Sequence, residues 1–318
     1  MGYLSGMTQN TLPAAPARPV PLSMHADRGW LYPVLAAIFC LLWSSAFTAA
    51  KIGIAAQACP PLLMLAIRFL LAGAVLLGIV AWKHGLRGLE RRELGWLTLF
   101  GLSNHALYLG LSFVGMQTIS SGLAAIIIST NPLLTALLAA SLLGEHLNWR
   151  KGLGLLLGLA GVAVILRSRF GSGHDDTSGM LFSAGAAIAI ALATILYKKV
   201  PTRSAPFTAL AIQLIAGGAG LLPVALLLED AGSLHLNLQL VGAILYLAGP
   251  VSIGAFAIWF MLLRRGGATQ ASSLHFLMPP LGLAMGWLVL DEPLIAIDFI
   301  GILPVALGIW LVTRAVRP

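Results

Sequence analysis

Charge is what this sequence has least of. Only 9% of its 318 residues are Asp, Glu, Lys or Arg, while 58% are hydrophobic and the mean hydropathy is +0.92. Soluble domains carry about 25% charged residues, and a water-facing surface of this extent needs them. A soluble fold is excluded on that ground. Cysteine is nearly as scarce, with Cys40 and Cys59 alone. Along one helix they would lie roughly 28 Å apart, far beyond disulfide reach. Both therefore read as small apolar residues. No GxxxxGK[ST] loop is present to bind ATP. No HExxH and no paired Cys/His cluster offers a metal site, and no nucleophile, base and orienter occur together. The expectation is a protein without metal or cofactor that is not an enzyme. Carboxylates are missing from the middle of every long apolar segment, where proton-driven pumps of cationic drugs place one. Any proton coupling then falls to His105 or His275.

What is present is apolar sequence in membrane-length pieces. A bilayer core of about 30 Å needs around 20 apolar residues per helix. Ten segments qualify, near 31–54, 60–82, 94–115, 119–142, 149–166, 178–197, 206–228, 238–262, 268–290 and 296–315. The Pro-rich stretch before Trp30 has no apolar core and reads as a disordered cytoplasmic tail over 1–29. Of the nineteen Lys and Arg, Lys51, Arg167 and Arg169 fall on one side of an alternating topology and Arg68 falls inside a helix, which leaves fifteen on the other side. The positive-inside rule then puts both termini in the cytoplasm, with the chain in a cell (inner) membrane. Cations dispersed in short breaks do not form a nucleic-acid footprint, so no nucleic-acid partner is expected.

The chain also repeats itself. Adding 147 to a position pairs Pro132 with Pro279, Glu145 with Glu292, Gly154 with Gly301 and Gly161 with Gly308 in one ungapped register. Five helices end on the side opposite to where they began, so the second copy must be inverted. The expected architecture is all-α and integral to the membrane: ten transmembrane helices as two inverted five-helix repeats, 30–170 and 171–318, around a central cavity.

The stretches LLWSSAFTAAK, IRFLLAG and STNPLLTALLAASLLGEHLNWRKGLGLLLGLAGVAVIL, answered by LHFLMPPLGLAMGWLVLDEPLIAIDFIGILPVALGIWLV, resemble the EamA-type branch of the drug/metabolite transporter superfamily. The resemblance runs over about residues 30–315. It implies a ten-helix carrier with a central cavity, many such carriers exporting amino acids or related metabolites. It also places Arg68 in a scaffold motif, in a structural or gating role, with direct substrate contact as the alternative for a charge inside a helix.

Candidate site residues follow from polar groups at membrane depth. Gly101, Asn104, His105, Tyr108 and Ser112 recur on one face of the third helix, where they either line a wet cavity or bond between helices. Ser272, His275, Pro279, Gly282 and Gly286 share a face of the ninth, where His275 is either a cavity group or a core histidine. Pro132 and Pro279 each free a backbone carbonyl, and paired Pro-interrupted helices point to a transporter site. Asn131 either caps that freed backbone or meets substrate. Trp43, Tyr246 and Trp259 are candidates for an aromatic cavity wall. Glu145 and Glu292 end the fourth and ninth helices, where carboxylates hold a neighbouring helix N-terminus, with helices five and ten as the expected partners. Lys51 either attracts an anion or marks the interface. A set of amide, imidazole, phenol and indole groups suits zwitterionic or neutral metabolites, amino acids first, carried outward by alternating access. Export of toxic aromatic or cationic compounds through the same cavity is the alternative, and a membrane-embedded enzyme a remote one. The expected partners are a small-molecule substrate and the bilayer, with the protein a monomer or weak homodimer.

Overall fold

The computed structural model describes residues 30–55, 58–84, 90–143, 148–169, 175–199, 204–259, 261–262 and 274–314. The tail 1–29, Glu145 and the side chain of His275 lie outside the described residues. Among those residues, besides a 3-10 turn at Ala231–Ser233, the helices fall into ten stretches, seven of them long and apolar enough to cross a membrane. They are α1 (Leu31–Ala55), α2 (Pro61–His84), α3 (Arg91–Gly115), α4 (Ser121–Ile128 continuing as Asn131–Leu143), α5 (Trp149–Arg169), α6 (Thr177–Lys199), α7 (Pro206–Leu228), α8 (Leu238–Trp259), α9 (Leu274–Leu277 continuing as Met278–Leu290) and α10 (Ala296–Arg314).

Glycine sets how these helices pair. A Cβ on Gly161 of α5 would stand 2.6 Å from the carbonyl oxygen of Gly301 on α10, and one on Gly308 would run into the Gly154 carbonyl. These two contacts join the glycines that the 147-residue shift relates. Position rises on one helix as it falls on the other, so the two run antiparallel. The same order holds between α2 and α7, where Gly73 meets Ile215 and Gly218 meets Leu70, a register in which the shift is 145. These two pairs of repeat mates are therefore antiparallel neighbours, the orientation an inverted repeat gives. The remaining packing obeys the same two-fold pattern: α1 lies on α8 and α9, and α6 lies on α3 and α4.

Both proline-marked helices are broken. In α4 the turn at Ser129–Thr130 interrupts the helix just before Pro132, and the two hydroxyls donate to the carbonyls of Ile126 and Ile127 at 2.7 and 2.6 Å. In α9 a 3-10 turn over Leu274–Leu277 gives way to α-helix next to Pro279.

One end of the bundle is held together by carboxylates and a lysine at helix termini. Glu292, after α9, accepts from Ser121 N at 2.7 Å, Gly122 N at 3.2 Å and Ser121 Oγ at 2.9 Å. Sequence reasoning expected this carboxylate at the start of α10, and the structure puts it at α4. Because α9 runs antiparallel to α4, its C-terminus arrives beside the exposed N–H groups of α4. Asp175, before α6, accepts from Ser120 N at 2.6 Å. Glu229, after α7, accepts from Leu62 N and Leu63 N of α2, both at 2.9 Å. Lys51 donates to the carbonyls of Met116 and Ile119 where α3 ends. The helices entering and leaving here alternate, so α1 starts and α10 finishes at the opposite end.

Candidate substrate site between the repeats

Two repeat-mate helices share a defect. α3 carries a π-helical stretch at Leu102–Tyr108 and α8 carries one at Leu247–Ala255. Adding 147 to 102–108 gives 249–255, inside the second stretch. In α8 the defect holds Pro250, which has no N–H to donate. π-turns interrupt the regular backbone ladder and occur mostly at functional sites. Both flank the same space.

That space is a cavity of about 210 Å³. Twelve of its nineteen lining residues form repeat-related pairs: Trp43 and Phe47 on α1 with Ile190 and Thr194 on α6, Arg68 on α2 with Gln213 on α7, and Asn104, His105 and Leu109 on α3 with Val251, Ser252 and Phe256 on α8. The shift is 147 in the first and last sets and 145 in the second, the register already given by the glycines. The backbone symmetry is therefore two-fold while the chemistry is not. The cation and the imidazole stand on the first repeat, opposite an amide and a hydroxyl on the second.

Arg68 is 5% exposed. Its Nε donates to Ser252 Oγ at 3.2 Å, and its guanidinium carbon lies 5.1 Å from the Phe69 ring centroid. Among the described residues, no Asp or Glu lines the cavity. An unpaired charge at this depth costs several kcal/mol. His105, 2% exposed, sits edge-on to Phe69 at 5.0 Å and to Phe256 at 6.4 Å between ring centroids. Neither of its nitrogens has a hydrogen-bond partner among the described residues, nor has Ser112 Oγ nearby. Its backbone is brought against α7 by Gly217, where any side chain would collide with the His105 Cβ. Trp43 and Phe256 meet edge to face at 5.3 Å, which extends the aromatic wall from α8 to α1.

Of the residues singled out from sequence, Trp43, Arg68, Asn104, His105 and Tyr108 come together here. Others stand elsewhere. Asn131 accepts from Thr135 Oγ1 at 3.0 Å within its own helix, Tyr246 shares a 2.6 Å hydrogen bond with Ser45, and Trp259 stacks on Phe39 at 5.2 Å. Tyr246 and Trp259 thus meet α1, and none of the three is among the residues lining the cavity. Phe69, Thr194, Gln213, Ser252 and Phe256 were not anticipated. Gln213 carried a signal, being an amide in the middle of an apolar segment. The shift of Asn104, His105 and Leu109 by 147 would have found the α8 wall.

Fold and site together define a multi-span membrane protein with a polar-and-aromatic chamber between two repeats. Residues 30–167 and 177–314 each match the EamA-like transporter family, and the chain belongs to that family. It is 31% identical over 281 residues to the transporter YvbV of Bacillus subtilis, covering 88% of this chain and 90% of that one. A probable amino-acid metabolite efflux pump of Escherichia coli is 25% identical, with 87% and 93% covered. A solved crystal structure, 22% identical, shares the fold with a TM-score of 0.62 over 90% of this chain and 97% of that one.

Proposed function

We propose that this transporter is a secondary carrier of ten membrane-spanning helices, two inverted repeats over 30–170 and 171–318, that exports small zwitterionic or neutral metabolites, amino acids first. The observation that carries the reading is the cavity wall of repeat mates, since two inverted halves pivoting about such a chamber open it to each side in turn. Its volume of about 210 Å³ falls below the roughly 300–1,000 Å³ of pockets that take drug-sized ligands. Each chain encloses its own cavity, so a monomer suffices and a weak homodimer is compatible. The fifteen-to-three division of cations puts both termini in the cytoplasm of a cell (inner) membrane. The efflux pump of Escherichia coli is related over most of its length, which supports the same substrate class.

The aromatic wall of Trp43, Phe69 and Phe256 would also suit toxic aromatic compounds, the second reading. A cationic compound fits poorly, because Arg68 supplies like charge with no carboxylate opposite it among the described residues. Counterflow of labelled amino acids into proteoliposomes preloaded with each of the twenty tests the proposal. Saturable exchange is expected for at least one. Exchange for none, with aromatic dyes moving instead, would favour the second reading.

A further inference from the structure

The transport reading leaves open what the substrate must carry, and Arg68 bears on that. Its guanidinium is buried in the cavity wall and makes a single hydrogen bond among the described residues, from Nε to Ser252 Oγ. The two terminal nitrogens thus remain for a ligand, and they present the planar fork that matches a carboxylate. Among the described residues, no acidic side chain lines the chamber to receive an ammonium group. His105 and Ser112, both buried in the same wall, hold three further polar atoms without partners among the described residues. A neutral imidazole offers one donor and one acceptor, and a hydroxyl either.

We infer that the cavity selects its substrate by a carboxylate held on Arg68, and that an α-amino group is dispensable. This rests on the transport reading and redraws its substrate class as carboxylates with a small apolar or aromatic body, the zwitterionic amino acids among them and anionic acids added. The charge balance supplies the reason. One buried cation with no counter-charge is neutralised by one bound anion, whereas a bound amine would set two cations in a desolvated chamber. Among the described lining residues, the ammonium of an amino acid would find only neutral acceptors, such as the Asn104 and Gln213 side-chain amides. Removing it therefore costs little. Trp43, Phe69 and Phe256 cover the apolar body.

The test compares one carbon skeleton with its two charges removed in turn. Leucine, 4-methyl-2-oxopentanoate, leucinamide and isoamylamine, with the matching phenylalanine set, compete against labelled leucine or phenylalanine in counterflow. The same compounds are scored for thermal stabilisation of the purified protein, which needs no transport. The oxo acid is expected to act within a few-fold of the amino acid. The amide and amine should be weaker by about tenfold or more, the loss of a charge-assisted hydrogen-bonded pair. Arg68→Gln, if it purifies monodisperse, should bring the acid-to-amide ratio close to one, and Arg68→Lys should restore part of it. Amine binding at least as well as acid overturns the inference while leaving transport intact. So does a folded Arg68→Gln protein with the wild-type ratio. If Arg68→Gln does not fold, the wild-type acid, amide and amine ranking decides alone. Stabilisation by the acids without exchange of any of them would refute the transport reading and keep the site.

Discussion

Glu292 gathers three hydrogen bonds at the start of α4, two from backbone N–H groups and one from the Ser121 hydroxyl. Hydrogen bonds to a charged group contribute about 1.5–3 kcal/mol, and the helix dipole adds to them. Glu292→Gln keeps the shape and loses the charge, so it should lower stability by about 1–3 kcal/mol, read as a reduced unfolding temperature of the purified protein. An unchanged temperature would mean that the cap is solvated in the membrane-bound protein. At the cavity, Asn104→Ala and Tyr108→Phe are expected to weaken substrate affinity in counterflow while the protein still inserts and stays monodisperse. Wild-type kinetics in both would move the site off α3. The α3 stripe was legible because amide, imidazole and phenol groups stand out in apolar sequence at helical spacing. Arg68 was legible as an anomaly, yet its direction was not. Whether a helix turns a residue to its neighbour or to a chamber depends on the partner helix, here Ser252 on α8. Tyr246 and Trp259 meet Ser45 and Phe39 on α1, neighbours that likewise only the packing of helices reveals.

Helix α10 packs on α5 through glycine, with the Gly154 carbonyl under Gly308 and the Gly301 carbonyl under Gly161. Small residues let membrane helices approach closely enough for dispersion to hold them where no hydrophobic effect acts between them. Gly308→Val should force the pair apart and lower both expression and unfolding temperature. Gly242→Val on α8, where an added Cβ meets nothing within 4 Å, should change neither. Equal behaviour of the two would contradict the close-packing account. At this scale the sequence was most informative. Hydropathy located the long helices, and the proline positions anticipated the breaks in α4 and α9. The π-turns in α3 and α8 were not foreseen, since a local widening of the helix leaves no mark in apolar periodicity. The partner of Glu292 was missed because a carboxylate at a helix end reports that it caps something, and only the antiparallel packing of α9 on α4 decides what.

At the scale of the whole molecule, the alternation of helix ends and the cation count predict one topology. Cysteines introduced near Arg91 and Arg264 should be protected from an impermeant reagent in intact cells, while those at Asp176 and Asp230 react. The reverse pattern would invert the protein. With no carboxylate in the cavity wall among the described residues, an imposed pH difference alone should drive little accumulation in proteoliposomes. Strong accumulation would contradict the uncoupled reading, and its loss in His105→Gln with exchange spared would make that imidazole the proton carrier.

The central claim is that one chamber between the repeats opens to each side in turn, and a thiol in its wall reads this directly. Thr194 lines the cavity on α6 and is close to cysteine in size. The native background is quiet, since Cys40 and Cys59 are buried and burial pushes the Cys59 thiol up to about 11. Thr194→Cys in a Cys40→Ser, Cys59→Ala protein is reconstituted in one orientation and treated with an impermeant maleimide from either side, with and without leucine. The account predicts labelling from both sides in separate experiments, slowed by transported substrate and shifted in side preference by a substrate gradient. Persistent transport with a Thr194→Cys thiol that labels from one side only, at a rate indifferent to substrate, would contradict it.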